Sequence, residues 1–195
     1  INKIAKQVLE FMSFFAFPCI IGLFLLGEES ILLISGAEFL PGITAERILL
    51  ADIILSPLNG FIANQIMIPI HEEKRSMIAM IIAAVANVIL DFILIKAIGI
   101  NGAAIATVVS EALVLVICLP AVLRTVDLRT VSSGIWKFAI AALIIIPIYF
   151  GCSLLNVTML FRAVMTVIFS MIAYGIIVIS FTHINPISMT KDLRK

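Results

Sequence analysis

Five side chains between Asp52 and Cys118 could hold a proton or a cation in a hydrocarbon setting: Asp52, Asn59, Asn87, Asp91 and Glu111. They stand inside three apolar runs of about membrane length. A charge at the bilayer centre costs about 2.5 to 3.5 kcal/mol even on lenient insertion scales, so such groups face a protein interior or a watery cavity. A carboxylate placed there can exchange a proton or bind Na⁺, the ordinary chemistry of an ion or substrate pathway. Asp52 and Asn59 are seven apart and Asn87 and Asp91 four apart, so each pair lies on one helix face. Counting 1.5 Å per residue puts Asp52 and Asp91 about 8 Å outward of their span centres, Glu111 about 2 to 3 Å outward, and Asn59 and Asn87 near the middle. If the two faces meet, acidic groups line a cavity above amides. In the plainer alternative, the amides bond between helices and Ser or Thr caps Glu111.

The elements that must position these groups are membrane helices. The chain has 195 residues, is 63% hydrophobic and only 13% charged, and has a mean hydropathy of +1.24, far more apolar surface than one soluble core of this size can hide. The sequence predicts an all-α integral membrane protein with six spans, near 8–28, 46–69, 76–96, 102–123, 134–155 and 160–182. Lys3, Lys6, Lys74, Arg75, Arg124, Arg129, Lys137, Lys191, Arg194 and Lys195 fall on one side of that alternation, and Arg47, Lys96 and Arg162 on the other. This bias places both ends in the cytoplasm. A net charge of +1 gives no reason to expect nucleic acid.

Along the chain, Pro18 is expected to bend the first span. The run 31–34 reads as a separate short outer helix or interfacial turn anchored by Glu28 and Glu29, ahead of a loop over 37–45. Pro57 and Gly60 mark a helix break in the second span, either a site-lining break or a passive kink. The run 71–75 reads as a solvated cytoplasmic turn, with His71 and His183 exposed rather than ligands. The tight 98–102 connection makes the third and fourth spans antiparallel neighbours, and Gly102, Ala106 and Ser110 form a small-residue face for close approach. Pro147 kinks the fifth span, Trp136 and Tyr149 mark interfaces, and the tail from His183 lies near the anionic leaflet. Cys19, Cys118 and Cys152 have no paired spacing and suggest neither disulfide nor metal site. No nucleophile triad, metal-ligand helix motif or phosphate loop occurs, so the reading is not an enzyme and has no cofactor.

The run from Ala84 to Ile95, followed by Gly99-Ile100-Asn101-Gly102-Ala103-Ala104-Ile105-Ala106-Thr107 and Ser110-Glu111, resembles the second half of the Wzx-type polysaccharide flippases. These exporters of O-antigen and capsule repeat units share a superfamily with the MATE drug exporters and lipid II flippases. Leu23 to Phe39, with Glu28 and Gly36-Ala37-Glu38-Phe39, looks like the region after their seventh helix. The resemblance implies one six-helix bundle of a two-bundle MATE-like transporter in the bacterial inner membrane, and a chain that is a fragment lacking its amino-terminal bundle. It implies alternating-access transport of undecaprenyl-diphosphate-linked oligosaccharide units, with H⁺ or Na⁺ as coupling ion. Expected partners are that lipid-linked glycan, membrane lipids, the missing half and a polysaccharide polymerase. The chain departs from the family pattern at Asp91, where Asn is usual, and at Lys96, where Pro is usual. No Arg or Lys is expected well inside a span, so cations for a lipid diphosphate belong to the absent half. The rival readings are a MATE-like multidrug/cation antiporter and, from another class, a non-transporting scaffold of a glycan-assembly complex.

Overall fold

The computed structural model describes residues 2–155 and 157–182, so His183 and the basic tail lie outside the described residues. The elements are α1 (Asn2–Ile34), a 3₁₀ turn (Ala37–Gly42), α2 (Ile43–Leu49), α3 (Asp52–Phe61), a π-helical turn (Ile62–Met67), α4 (Glu73–Ile98), α5 (Ile100–Thr125), α6 (Leu128–Ser132), α7 (Ile135–Ala142), α8 (Ile145–Ser153) and α9 (Met159–Thr182). Among the described residues, five helical stretches are long and apolar enough to cross a membrane: Asn2–Ile34, Glu73–Ile98, Ile100–Thr125, Leu128–Ser153 and Met159–Ser180. The expected second span is not among them, because it is built of α2, α3 and the π turn, each too short alone. Large apolar side chains face outward along the bundle, Phe92 at 69% and Met171 at 70% exposure among them, as a hydrocarbon solvent allows.

Helix α1 is the mast of the bundle, touching α2, α3, α6, α7, α8 and α9. It stands between two cores. One gathers Phe61, Ile62, Ile66, Met67, Val114, Cys118 and Val131 around the start of α1, and the other packs Phe138, Ala142, Tyr174 and Val178 against Phe14, Phe17 and Ile21. Pro18 does not divide the span. The helix runs unbroken for 33 residues, and the expected outer turn 31–34 is simply its last turn. Pro18 has no N–H for the carbonyl of Phe14, and in hydrocarbon an unpaired carbonyl costs several kcal/mol. The Tyr174 hydroxyl of α9 donates to that carbonyl at 2.9 Å, closing the gap from across the bundle.

Other prolines act where the chain does break. Pro147 cannot donate to the carbonyl of Leu143, and the fifth span divides at Leu143–Ile144 into α7 and α8. In the second span the interruptions fall at Leu50–Ala51 and at the π turn, on either side of Pro57 and Gly60, which sit within α3. The Asn64 amide donates to the Gly60 carbonyl at 2.8 Å, repairing the ladder where it changes register. The run 71–75 is only partly a turn. His71 is exposed and reverses the chain with φ 58°, but α4 begins at Glu73, and half-buried Arg75 donates from Nε to the Ile117 carbonyl of α5 at 3.0 Å.

The α4–α5 hairpin has the geometry its sequence implies. Gly99 turns the corner at φ 62°, and a β-carbon on Gly102 would sit 2.3 Å from the Leu94 carbonyl. Gly102, Ala106 and Ser110 are all buried. At the other end of α5, Asp127 caps α6: its Oδ2 accepts the Thr130 hydroxyl at 2.5 Å and its Oδ1 the Arg129 N–H at 3.1 Å. The Thr130 hydrogen bond in particular holds the Asp127 carboxyl below its ordinary pKa.

Replacing Gly102 by Ala is expected to cost about 3 kcal/mol, because the added methyl meets backbone and not a yielding side chain. Denaturation in detergent, with engineered cross-links along α4–α5 as reporter, checks this. Tyr174→Phe should cost about 1 to 3 kcal/mol by orphaning the Phe14 carbonyl. Tyr174 to Cys substitution is not needed for the check: a double-mutant cycle with Pro18→Ala, which restores a backbone donor, should show the Tyr174→Phe cost shrinking.

Candidate functional site

Helix α5 distributes the five candidate residues to two different interfaces. On the side facing α3, the Asn59 amide of α3 donates to Glu111 Oε2 at 2.6 Å and to the Glu111 backbone carbonyl at 2.8 Å. Asn59 is 6% exposed, and its Oδ1 is buried without a partner. Asp52, two turns before Asn59 on α3, lies within Coulombic reach of Glu111, and its Oδ1 is also buried and unpartnered. The set of Asp52, Asn59 and Glu111 thus holds two unpartnered oxygen acceptors on α3 and one amide donor. A proton on either carboxyl group, or a small hard cation, supplies what that set lacks.

On the side facing α4, the Asn87 amide donates to the Ser110 hydroxyl at 2.9 Å, and Ser110 passes its own proton to the Ala106 carbonyl. The contacts of Gly102 with Leu94 and of Ser110 with Asn87 fix the antiparallel register, which sets Asp91 level with Ala106. Asp91 Oδ1 is buried and without a partner there. The faces carrying Asp52–Asn59 and Asn87–Asp91 thus do not meet; α5 intervenes, because its small-residue stripe draws α4 to one side while α3 packs beside Glu111. Pro57 and Gly60 are exposed and line neither pairing. The amides do bond between helices, but Asn59, not Ser or Thr, holds Glu111.

A further polar cluster, at the carboxyl-terminal end of α1, was not singled out from sequence. Arg162 of α9 donates to Glu29 Oε1 at 2.8 Å, with Tyr149 beside the pair. Glu29 is 5% exposed, so it is a buried ion-pair partner and not an interfacial anchor; Glu28 is the exposed one. On the opposite flank of α1, Ser30 reaches Glu46 Oε1 of α2 at 3.5 Å. The signal lay in Arg162 itself, a cation near the start of an otherwise apolar span, which requires a partner once buried. Among the described residues no group of three His, Cys, Asp or Glu side chains could hold a metal ion.

The architecture is that of an all-helical, multi-pass membrane bundle with broken spans. No protein-family model and no curated protein matches the chain. A solved structure does: the lipid II flippase MurJ in its inward closed conformation superposes with a TM-score of 0.76 over 93% of this chain, at 20% sequence identity. The chain has that flippase's fold over the matched region and spans 39% of its length.

Asn59→Leu should cost about 1 to 3 kcal/mol, because it strips Glu111 of its donor while keeping the apolar volume. Asn87→Leu should cost less, since Ser110 retains its bond to the Ala106 carbonyl. Chemical denaturation of both variants in the same detergent compares them.

Proposed function

We propose that this chain is one six-helix bundle of a two-bundle flippase that moves undecaprenyl-diphosphate-linked oligosaccharide units across the bacterial inner membrane by alternating access. The sixth crossing is the composite span of α2, α3 and the π turn, over residues 43–67. Both ends of the segment lie in the cytoplasm, in keeping with the basic residues at Lys3, Lys6, Lys74, Arg124 and Arg129. The fold likeness to a flippase of a lipid-linked precursor supports the class of cargo, and the run from Ala84 to Glu111 supports the polysaccharide branch.

The observation that carries the coupling role is the acceptor-rich set at the α3–α5 interface. Asp52, Asn59 and Glu111 hold the driving H⁺ or Na⁺. Helix α3 is ten residues long and bounded by a turn at Leu50–Ala51 and by the π turn, so it can shift against α5 without unwinding its neighbours. Loading the site replaces a buried, unpartnered oxygen with a bonded one, which draws α3 onto α5 and biases one bundle orientation. Asp91 belongs to the α4–α5 contact and serves as a second, gating position.

Glu111→Gln and Asp52→Asn in the full-length protein should each lower gradient-driven flipping of a lipid-linked oligosaccharide in proteoliposomes at least tenfold, while gradient-free exchange persists. Equal loss of both activities with normal insertion overturns the coupling role. Full activity of both variants removes the site assignment.

A further inference from the structure

A membrane span shows hydrocarbon only what hydrocarbon tolerates, so a polar side chain left uncovered at depth marks a face that meets something else. Away from their ends, over 8–27, 77–95, 103–123, 138–152 and 163–179, the described spans expose apolar side chains and the thiol of Cys19. The composite span over 43–67 differs. Ser56, Pro57, Gly60, Asn64 and Gln65 are all exposed, and Ser56, Gly60 and Asn64 recur every four residues. The Ser56 hydroxyl and the Gln65 amide make no hydrogen bond to the described residues, and Asn64 commits one amide hydrogen, to the Gly60 carbonyl. Pro57 leaves the Ile53 carbonyl without its ordinary donor, and the π turn over Ile62–Met67 adds irregular backbone. Such backbone at membrane depth is tolerated only against protein or beside a water-filled cavity. From Ser56, near the middle of the span, the strip runs about 14 Å to Gln65.

We propose that this strip is the wall that receives the glycan head of the cargo, with Ser56, Asn64 and Gln65 pairing its hydroxyls. The inference rests on the flippase reading above: a bundle that passes a hydrophilic head through hydrocarbon needs a polar outward wall, and among the described residues this face supplies it. The strip carries two amides, a hydroxyl and no charge. Its chemistry therefore fits a neutral oligosaccharide and not a diphosphate, which calls for cations. A carboxamide donates and accepts at once, as a sugar hydroxyl does. At Gly60 an added β-carbon would meet nothing within 4 Å, so a sugar ring can approach the backbone there. Asp52 stands four residues before Ser56 and faces Glu111, so the cation site and the glycan wall occupy adjoining faces of one short helix.

The test uses the full-length protein in proteoliposomes, with its native cysteines replaced and single cysteines introduced by Ser56→Cys, Gln65→Cys and, on the lipid-facing side of α9, Ile172→Cys. A charged, membrane-impermeant methanethiosulfonate added to both sides should label the first two about tenfold faster than the third, because it needs a hydrated thiolate. An undecaprenyl-diphosphate-linked trisaccharide should slow labelling of the first two about threefold, while undecaprenyl diphosphate without sugar should not. Gln65→Leu and Ser56→Ala should each raise KM for the glycan-bearing lipid about fivefold, the loss of one hydrogen bond, with kcat little changed. Labelling of Ser56→Cys and Gln65→Cys no faster than of Ile172→Cys overturns the inference, since the strip is then covered by lipid or by another helix. Equal protection by the sugarless lipid also overturns it, as does loss of kcat with KM unchanged. Flipping by the unmodified protein is measured alongside. If the protein flips the glycan-bearing lipid while the strip stays unprotected, this inference fails alone; if it flips none, the transport reading fails.

Discussion

In hydrocarbon, each backbone carbonyl must find a donor within the protein, and the carbonyl of Phe14 is where this rule shapes the whole bundle. Pro18 denies it the ordinary partner, and the Tyr174 hydroxyl supplies one from α9. That bond ties the central helix to the last one at the level of the aromatic core formed by Phe14, Phe138 and Tyr174. Helix α1 runs on through the proline for its full 33 residues, long enough to touch six other helices. The Glu29–Arg162 pair repeats the arrangement toward the carboxyl-terminal end of α1, binding the same two helices through charge.

Helix α5 is the second organiser, and it separates two kinds of contact that one polar stripe could have merged. Gly102 lets its backbone approach α4 closely, an association driven by packing because lipid offers no hydrophobic gain. The neighbouring face carries Glu111 to α3, a ten-residue helix set between the turn at Leu50–Ala51 and the π turn.

Much of the fold is legible in residue types. The apolar runs mark the spans, and Gly99 and Gly102 with the following Ala and Ser mark the hairpin. The run from Ala84 to Glu111 resembles a flippase, and a flippase fold is what the matched structure shares. Less legible is what each proline does. Pro18 sits in an unbroken helix, Pro147 coincides with a break, and Pro57 lies between two interruptions without making either. For Pro18 the donor that reaches the orphaned carbonyl is Tyr174, a residue more than a hundred positions away.

The sequence by itself determined that this chain lives in a membrane, that α4 and α5 are antiparallel neighbours, and that Asp52, Asn59, Asn87, Asp91 and Glu111 had to be buried against protein. Those follow from the cost of charge and bare backbone in hydrocarbon and from helix periodicity, which are local properties. Only the tertiary structure decided that the five divide between two faces of α5 and that Glu29 pairs with Arg162. Helix spacing says which residues share a face but not which face another helix covers. That choice is made by packing among all the helices at once.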